Sequence, residues 1–238
     1  MSRSTVVNWL LDCVFPVRCL GCSVLERGYL CSRCIKTIPL RSSFECIGCK
    51  QPVPFGKTCG LCRPQNHLDA LYVAANFTHP LLKKSIAHFK YQFIDELTSP
   101  LTHIIRRYIK RISRQKEFSI FIDRPTIVPV PLHYRRLNWR GFNQAELLAT
   151  QLVHHFQLPL ELNMLQRIKS TKPQALLSER EDRIKNIEDI FICTRNVTMS
   201  SILLIDDICT TGATLNECAR VLKIRGAQRV SALVVARG

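Results

Sequence analysis

The chain has 238 residues, of which 46% are hydrophobic, and it carries 34 Lys and Arg residues against 18 Asp and Glu residues. This length is enough for one sizeable hydrophobic core, and no segment is low in complexity. No run of 18 or more apolar residues occurs, which argues against a membrane-spanning protein. The formal net charge of +16 predicts a polyanionic partner whose affinity falls as the salt concentration rises.

Four C-x-x-C knuckles lie within residues 19–62. Each knuckle supplies two sulfur ligands, so a pair of knuckles completes one tetrahedral site, and the spacing predicts two structural Zn²⁺ sites. Disulfide, redox and iron–sulfur roles remain as weaker alternatives. Sequential pairing gives the shortest loops, although an interleaved arrangement stays open. The predicted metal ligands are Cys19, Cys22, Cys31, Cys34, Cys46, Cys49, Cys59 and Cys62.

Residues 1–66 are predicted to form a double zinc ribbon with a short N-terminal helix. Gly, Pro and polar residues between the knuckles leave little apolar surface, so metal binding would supply the folding energy of this segment. The first fifteen residues lack a small-residue cleavage site, and Asn8 and Asp12 break their apolar run, which predicts a reducing, cytoplasmic location. Eight zinc-bound thiolates with two zinc ions carry −4, which leaves a net charge of about +12. The cysteines outside the knuckles are predicted core residues: Cys13, Cys193, Cys209 and Cys218.

Residues 67–238 are predicted to form a single α/β domain. Predicted strands cover residues 68–77, 126–130, 191–194, 202–205 and 230–236. Predicted helices cover residues 81–93, 97–116, 142–156 and 213–225. Because strands alternate with helices, a mostly parallel sheet covered on both faces is expected.

The helix predicted over residues 97–116 is amphipathic. Its apolar positions follow the 3.6-residue period and are Leu101, Ile104, Ile105, Tyr108, Ile109 and Ile112. Its opposite face carries the cations Arg106, Arg107, Lys110, Arg111, Arg114 and Lys116. This face is a predicted single-stranded DNA surface, with a merely solvated face as the alternative, because few aromatic residues interleave with it.

Four aromatic residues lie near other basic positions and are candidates for base stacking: Tyr91, Phe93, Tyr134 and Trp139. Core burial is the stronger interpretation for Phe93 and an equal alternative for the other three.

A basic segment follows the strand at residues 126–130. Its three guanidinium groups, on Arg135, Arg136 and Arg140, are predicted to bind a pyrophosphate bidentately from a loop, which lysine cannot do. A solvated basic loop is the alternative. Pyrophosphate binding is favoured because this segment leaves the carboxyl end of a strand, where open α/β sheets bind ligands.

The segment over residues 202–214 is the most informative one. An apolar strand leads into Asp206 and Asp207, and then into a turn that opens a helix. The turn residues are Thr210, Thr211, Gly212, Ala213 and Thr214. Free backbone N–H groups, the helix dipole and threonine hydroxyls can hold a dianionic phosphate there. The two carboxylates can accept hydrogen bonds from ribose hydroxyls, directly or through Mg²⁺ and its waters.

This segment resembles the phosphoribosyl pyrophosphate (PRPP) motif of type I phosphoribosyltransferases over all of its positions. The resemblance implies that Asp206 and Asp207 face the ribose and that residues 210–214 surround the 5′-phosphate, with Mg²⁺ accompanying PRPP. The expected fold class is therefore α/β, with a type I phosphoribosyltransferase-like, mostly parallel sheet and an N-terminal double zinc ribbon.

Nearly the whole chain resembles the ComF family of competence proteins. The resemblance rests on the knuckles, residues 128–144, residues 171–174 with Arg183 and Asn186, and the PRPP motif, in this order. It implies a cytoplasmic role in DNA uptake during natural transformation, with single-stranded DNA and proteins of uptake and recombination as partners. It also implies a lysine–aromatic pair at Lys90, which joins the predicted nucleic-acid residues, and a loop over residues 167–174 that covers the bound ligand.

Two functions remain open at the level of the sequence. In the first hypothesis the protein only binds DNA and PRPP. In the second it is an active phosphoribosyltransferase in which a nitrogen nucleophile displaces magnesium pyrophosphate from C1′. In the second case Asp206 and Asp207 are catalytic, since they fix the ribose, and the three arginines stabilise the leaving group. The acceptor and the general base cannot be assigned, and His133 is only the nearest histidine in sequence.

Overall fold

The computed structural model describes residues 17–25, 28–114, 118–169, 189–198 and 201–238. Four strands form a parallel sheet in the order β1-β6-β5-β2, and two more form a small antiparallel pair, β3-β4. The strands are β1 Ala70–Asn76, β2 Thr126–Pro129, β3 Leu165–Arg167, β4 Phe191–Cys193, β5 Ser201–Cys209 and β6 Arg229–Arg237. The predicted mostly parallel α/β sheet is confirmed.

Helices cover both faces of this sheet. The helices of the described residues are α1 Ser32–Thr37, α2 Pro80–Tyr91, α3 Thr98–Ile112, α4 Tyr134–Arg140, α5 Gln144–Phe156 and α6 Ala213–Ile224. Helices α2, α3 and α5 pack on one face, and α6 packs on the other with the β3-β4 pair. Leu203 and Ile205 of β5 enter the first core cluster, while Ile202 and Leu204 enter the second. The strand is apolar throughout this stretch because both of its faces are buried.

The amphipathic pattern of α3 is confirmed. All six residues predicted on its apolar stripe are buried, Tyr108 among them at 1% exposure. On the other face Arg106, Lys110 and Arg111 are exposed. Arg107 differs from them, since its Nη1 donates a hydrogen bond to the carbonyl oxygen of Ile35 at 2.8 Å. Arg107 therefore fastens α3 to the cysteine-rich segment instead of pointing into solvent.

The cysteine-rich segment shares the core of the sheet. Leu30, Ile35 and Ile38 belong to the same buried cluster as Leu82 of α2 and Leu101 of α3. Residues on both sides of the boundary predicted at position 66 thus contribute to one apolar cluster.

Arg237, the last residue of β6, joins the segment to the sheet through polar contacts. Its side chain is 2% exposed and lies 2.8 Å from Oε1 of Glu45. Its guanidinium also donates to the carbonyl oxygens of Cys46, at 3.2 Å, and Ile47, at 2.6 Å. A buried charge with these partners is costly to remove, since its loss leaves two carbonyls without this donor and Glu45 with Arg41 as its remaining cation.

We expect Arg237→Met to lower the free energy of unfolding by about 3 kcal/mol, seen as a lower urea midpoint at an unchanged m value. The matched control is Arg229→Met on the same strand, because Arg229 pairs with Asp123 at a half-exposed site. That substitution should cost less than about 1 kcal/mol. Equal losses in the two variants would contradict the structural role of Arg237.

Helix α1 and strand β3 were not predicted, and two further elements differ from their predicted form. Residues 134–140, predicted as a loop, form α4, because Nδ1 of His133 accepts from the N–H of Arg135 at 3.3 Å and left-handed Gly141 donates its N–H to Leu137 O at 2.7 Å. Strand β5 continues beyond Ile205 to Cys209, because β6 keeps pairing with it up to Arg237.

Some predicted features lie outside the described residues. These are the N-terminal helix, Cys13, Lys116, residues 171–174, Arg183 and Asn186. Among the helices that the structure does describe, none combines the length and the apolar character that crossing a bilayer requires.

Candidate functional site

The acidic pair lies at the carboxyl edge of the sheet. Strand β2 pairs with β5 only up to Pro129, opposite Ile205, and the N–H of Val130 makes the last bond to Ile205 O at 3.0 Å. Asp206 and Asp207 therefore follow at the point where one neighbouring strand has ended and the other continues. This is the position at which open α/β sheets bind their ligands.

The carboxyl groups of the two acids lie close to each other, and the charge of Asp207 acts on Asp206. Asp207 is buried and its Oδ1 lies 2.8 Å from Nζ of Lys90, on α2. The charge of Lys90 also acts on Asp206, and the charge of Asp206 in turn acts on Arg167 of β3. The pair of acids therefore lies among cations from two elements. Lys90, predicted among the nucleic-acid residues, is placed at the acidic pair.

Asp206 has an unusual protonation equilibrium. Burial raises the pKa of its carboxyl to about 7, with a further contribution from the negative charge of Asp207, while Lys90 opposes the shift. The carboxylate of Asp206 also accepts the N–H of Asp207 at 2.8 Å. At neutral pH the site thus exchanges a proton with solvent, and a ligand that needs the ionised carboxylate competes with that proton.

We expect the affinity for a phosphosugar to fall about tenfold between pH 8 and pH 6, since Asp206 becomes protonated below a pKa of about 7. Binding titrations across this range measure the effect. Asp206→Asn should keep only the dependence that comes from the phosphate itself, whose own second pKa is about 6. A carboxyl carbon of Asp206 that titrates by NMR near pH 4 would contradict this expectation.

The turn over residues 210–214 leads directly into α6, as predicted. Gly212 is its N-cap, with a left-handed φ of 85°. Thr211 Oγ1 accepts the N–H of Ala213 at 3.3 Å, and Gly212 O accepts the N–H of Asn216 at 2.9 Å. The turn therefore presents the positive end of a twelve-residue helix at the edge where the acids lie.

The knuckle that contains Cys46 and Cys49 forms a wall of this turn. A Cβ added to Gly212 would lie 2.6 Å from Cγ1 of Ile47, so no larger residue fits there. Ile47 stands between Cys46 and Cys49, is 1% exposed, and packs in one cluster with Cys209 and other residues of the sheet domain. Sequence reasoning missed this role of Ile47, and the knuckle sequence alone does not reveal it, since Leu61 occupies a similar place in another knuckle and is 94% exposed.

The predicted arginine group is divided by helix α4. Arg135 is exposed and its Nε donates to the hydroxyl of Tyr134 at 3.2 Å, while Arg140 donates to Gln144 Oε1 at 3.1 Å. Arg136 is half-buried, and burial, with the charge of Arg140 next, lowers its pKa.

Arg167 is a further arginine beside Arg136. Burial, with the charge of Arg136 next, lowers the pKa of Arg167 to about 10. Its guanidinium lies 5.5 Å from the ring centroid of Phe191. The sequence assigned Arg167 only to the start of a covering loop, whereas in the structure its charge interacts with those of Arg136 and Asp206.

His133 has a structural position. It is 4% exposed, and its Nδ1 caps α4 by accepting the N–H of Arg135. Burial, followed by the positive charges of Arg167, Arg135 and Arg136, lowers the pKa of His133, so the ring is neutral at pH 7. The His133 ring is neutral and buried, and its acceptor nitrogen is occupied. Its position is explained by the start of α4, and no catalytic role is needed.

The eight knuckle cysteines form two clusters by sequential pairing. Cys19, Cys22, Cys31 and Cys34 make the first cluster, and Cys46, Cys49, Cys59 and Cys62 make the second. Within each cluster the ligand atoms all lie within 4.8 Å of one another.

The sulfur spacing in these clusters fits a zinc ion. Cys22 and Cys31 have their sulfurs 3.7 Å apart, and Cys46 and Cys59 have theirs 3.6 Å apart. A tetrahedron with Zn–S bonds of about 2.3 Å requires about 3.8 Å. Burial raises the pKa of Cys46, but the backbone N–H groups of Cys59 and its neighbours outweigh it and lower that pKa to about 6, which favours the thiolate. Both clusters can therefore hold Zn²⁺.

The fold and the acidic site together define a phosphoribosyltransferase-like protein. In agreement, residues 94–238 match the family described as the phosphoribosyl transferase domain. This match covers more than half of the chain and includes Asp206, Asp207 and the turn that follows them.

Relatives that match over most of their length identify the family more narrowly than the domain match does. Competence protein F of Haemophilus influenzae is 30% identical over 94% of this chain and 98% of its own length. Competence protein ComFC of Bacillus subtilis is 29% identical over 87% and 84%, and DNA utilization protein YhgH of Escherichia coli K12 is 28% identical over 87% and 96%, respectively. The chain belongs to the ComF family of competence proteins, with a phosphoribosyl transferase domain.

Proposed function

We propose that this protein is a DNA-uptake factor that binds single-stranded DNA and holds PRPP with Mg²⁺ at the carboxyl edge of its sheet. The observation that carries the PRPP part is the adjacent pair Asp206 and Asp207, with Lys90 in contact with Asp207, in the segment that leads to the N-terminus of α6. Family membership supports the DNA-uptake part, since relatives are named for competence and DNA utilization.

In the proposed complex the 5′-phosphate lies in the turn before α6, and the ribose hydroxyls donate to the two carboxylates. Arg136 and Arg167 are the cations proposed to bind the pyrophosphate, because the charge of Asp206 acts on Arg167, Arg136 adjoins Arg167, and both arginines are partly withdrawn from water. Mg²⁺, when bound, supplies charge that neutralises the pyrophosphate and oxygen-coordination sites that suit carboxylates.

Zinc is proposed in both cysteine clusters, and the cytoplasm is proposed as the site of action, because a reducing compartment keeps these thiols available for metal. The metals would hold residues 17–66 against the sheet. Zinc would have no part in chemistry, since four protein ligands leave no open coordination position.

A transferase activity is the second candidate. It is favoured by Arg167, which interacts with Asp206, and by the adjoining Arg136, since two guanidinium groups there can stabilise a pyrophosphate as it leaves C1′. The test is pyrophosphate release from PRPP in the presence of a panel of nitrogen nucleophiles. Release that the Asp206→Ala, Asp207→Ala variant loses would establish catalysis. No release by a protein that binds PRPP would leave the binding function alone.

The DNA part of the proposal is supported by the net charge of +16 and by the exposed cations of α3. A labelled oligo-dT titrated at several salt concentrations tests it through fluorescence anisotropy. We expect saturable binding that weakens steeply with salt, and a marked loss in an Arg106→Glu, Lys110→Glu variant. Arg107 is left unchanged because it holds Ile35.

The control for that titration is Lys57→Glu with Arg225→Glu, which changes the charge equally at exposed positions elsewhere. PRPP affinity should be the same in all three proteins. An equal loss of DNA affinity in both variants would show that net charge alone acts, and an unchanged Arg106→Glu, Lys110→Glu titration would remove α3 from the DNA surface.

A further inference from the structure

Exposed aromatic side chains are concentrated in one region of the molecule. Among the described residues, five Phe, Tyr or Trp side chains are exposed, and one of them, Phe55, is stacked on Phe118 at 4.7 Å. The other four lie at the end of α2 and on α4. They are Tyr91 at 56% exposure, Phe93 at 38%, Tyr134 at 58% and Trp139 at 59%.

Contacts between these residues join α2 to α4. The rings of Phe93 and Trp139 meet edge to face with centroids 5.0 Å apart. The guanidinium of Arg140 lies 5.5 Å from the ring centroid of Tyr91. Phe93 adopts a left-handed φ of 58°, which is unfavourable for a bulky residue, and this conformation accompanies a surface position where core burial was predicted. Tyr91, Phe93, Trp139 and Arg140 are called the aromatic–arginine cluster below.

The cluster adjoins the phosphosugar site. Tyr91 directly follows Lys90, whose ammonium contacts Asp207 at 2.8 Å. Helix α4 itself has the sequence Tyr-Arg-Arg-Leu-Asn-Trp-Arg, with three cations and no acid. Exposed aromatic rings and cations therefore lie together on the surface next to the phosphosugar site.

We propose that the aromatic–arginine cluster is a stacking platform for the bases of single-stranded DNA. Bases stack on Tyr91 and Trp139, and Arg135 and Arg140 neutralise the adjacent phosphates. This inference rests on the proposed function, since it places the DNA strand at the mouth of the PRPP site. It adds a base-contacting surface to the cationic face of α3, which contacts phosphates only.

Single-stranded nucleic acid fits this surface better than the alternatives. Duplex DNA keeps its base faces stacked inside the helix, so exposed rings would find no partner. A protein partner would need an apolar surface with few charges at its centre, whereas here arginines interleave with the rings. The surplus of positive charge over the whole chain favours a polyanion in the same way.

Tryptophan fluorescence provides a direct test, because the chain has two tryptophans, Trp9 and Trp139. In a Trp9→Phe variant of the full-length, zinc-loaded protein, the emission reports Trp139 alone. Titration with oligo-dT should quench this emission with the same midpoint as the anisotropy curve of that variant. An abasic oligonucleotide of equal length and charge should bind more weakly and quench little.

Affinity measurements complete the test. Tyr91→Ala with Trp139→Ala should weaken oligo-dT binding about tenfold or more, because each stacked base contributes substantially. Ile224→Ala, which removes an exposed apolar side chain at the far end of α6, should leave the affinity unchanged. PRPP affinity should be the same in both variants, which shows that the neighbouring site is intact.

The outcomes separate this inference from the proposed function. If the unmodified protein fails to bind oligo-dT, the DNA part of the proposed function is wrong and the platform falls with it. If it binds but the Tyr91→Ala, Trp139→Ala variant binds equally and Trp139 emission is unchanged, the platform alone is overturned. The cluster would then be assigned to a protein partner.

Discussion

Replacing Asp206 and Asp207 together by alanine is expected to abolish stabilisation by magnesium PRPP. The unmodified protein should gain about 2.7 kcal/mol at a ligand concentration one hundred times the dissociation constant, seen as an increase in the melting temperature. The double variant should gain nothing, because it lacks both carboxylates that accept the ribose hydroxyls. The variant should still fold, since the acids follow the last pair of the β2–β5 ladder and neither belongs to the two apolar clusters of the core.

The control for this experiment is Asp95→Ala with Glu96→Ala. These two acids are also adjacent, but both are exposed and lie just before α3. Their removal changes the net charge equally and should leave the ligand-induced shift intact. A full PRPP shift in the Asp206→Ala, Asp207→Ala variant would show that the site has been assigned to the wrong residues.

Loss of metal is expected to have the second large effect. Cys49→Ser and Cys22→Ser each remove one exposed ligand, from the second and the first cluster respectively. Each variant should contain about one zinc ion instead of two and should melt at a lower temperature, because zinc binding contributes about 10 kcal/mol or more to the folding of such sites.

Only the second cluster should affect the PRPP site. Ile47, inside its first knuckle, packs against Gly212 of the phosphate turn, so a loosened knuckle removes one wall of that turn. PRPP affinity should therefore fall in Cys49→Ser and stay unchanged in Cys22→Ser. Cys193→Ala, outside the clusters, should keep both metals. Equal PRPP affinities in the two cluster variants would contradict the coupling between knuckle and turn.

Local patterns in the sequence were sufficient for the parts of the fold that local chemistry determines. The 3.6-residue period of α3 identified six residues that are all buried, and the spacing of the knuckles identified both cysteine clusters. The strands of the parallel sheet were recognisable from their apolar runs, such as residues 202–205. In each case the relevant residues lie close together along the chain.

The acidic site was predicted only in part, because some of its partners come from distant segments. Asp206 and Asp207 were identified from their motif, but the pairing of Asp207 with Lys90 depends on how α2 packs against the sheet. The position of Arg167 depends likewise on the β3-β4 pair. No periodicity or spacing encodes contacts of this kind.

Helix α4 was missed for a different reason. Seven residues are too few for intrinsic helix propensity to stabilise a helix, so its formation depends on the caps at His133 and Gly141. The sequence suggested a loop because Pro129 and Pro131 precede this stretch. The consequence is functional, since the helix separates three arginines that were expected to act together.

Calorimetric titration of the zinc-loaded protein with PRPP and Mg²⁺, with and without a short single-stranded oligonucleotide, tests the central claim most directly. We predict saturable binding with one site per chain, and an affinity that changes when DNA is present, which gives the coupling free energy between the two ligands. Absence of saturable PRPP binding under both conditions would contradict the account.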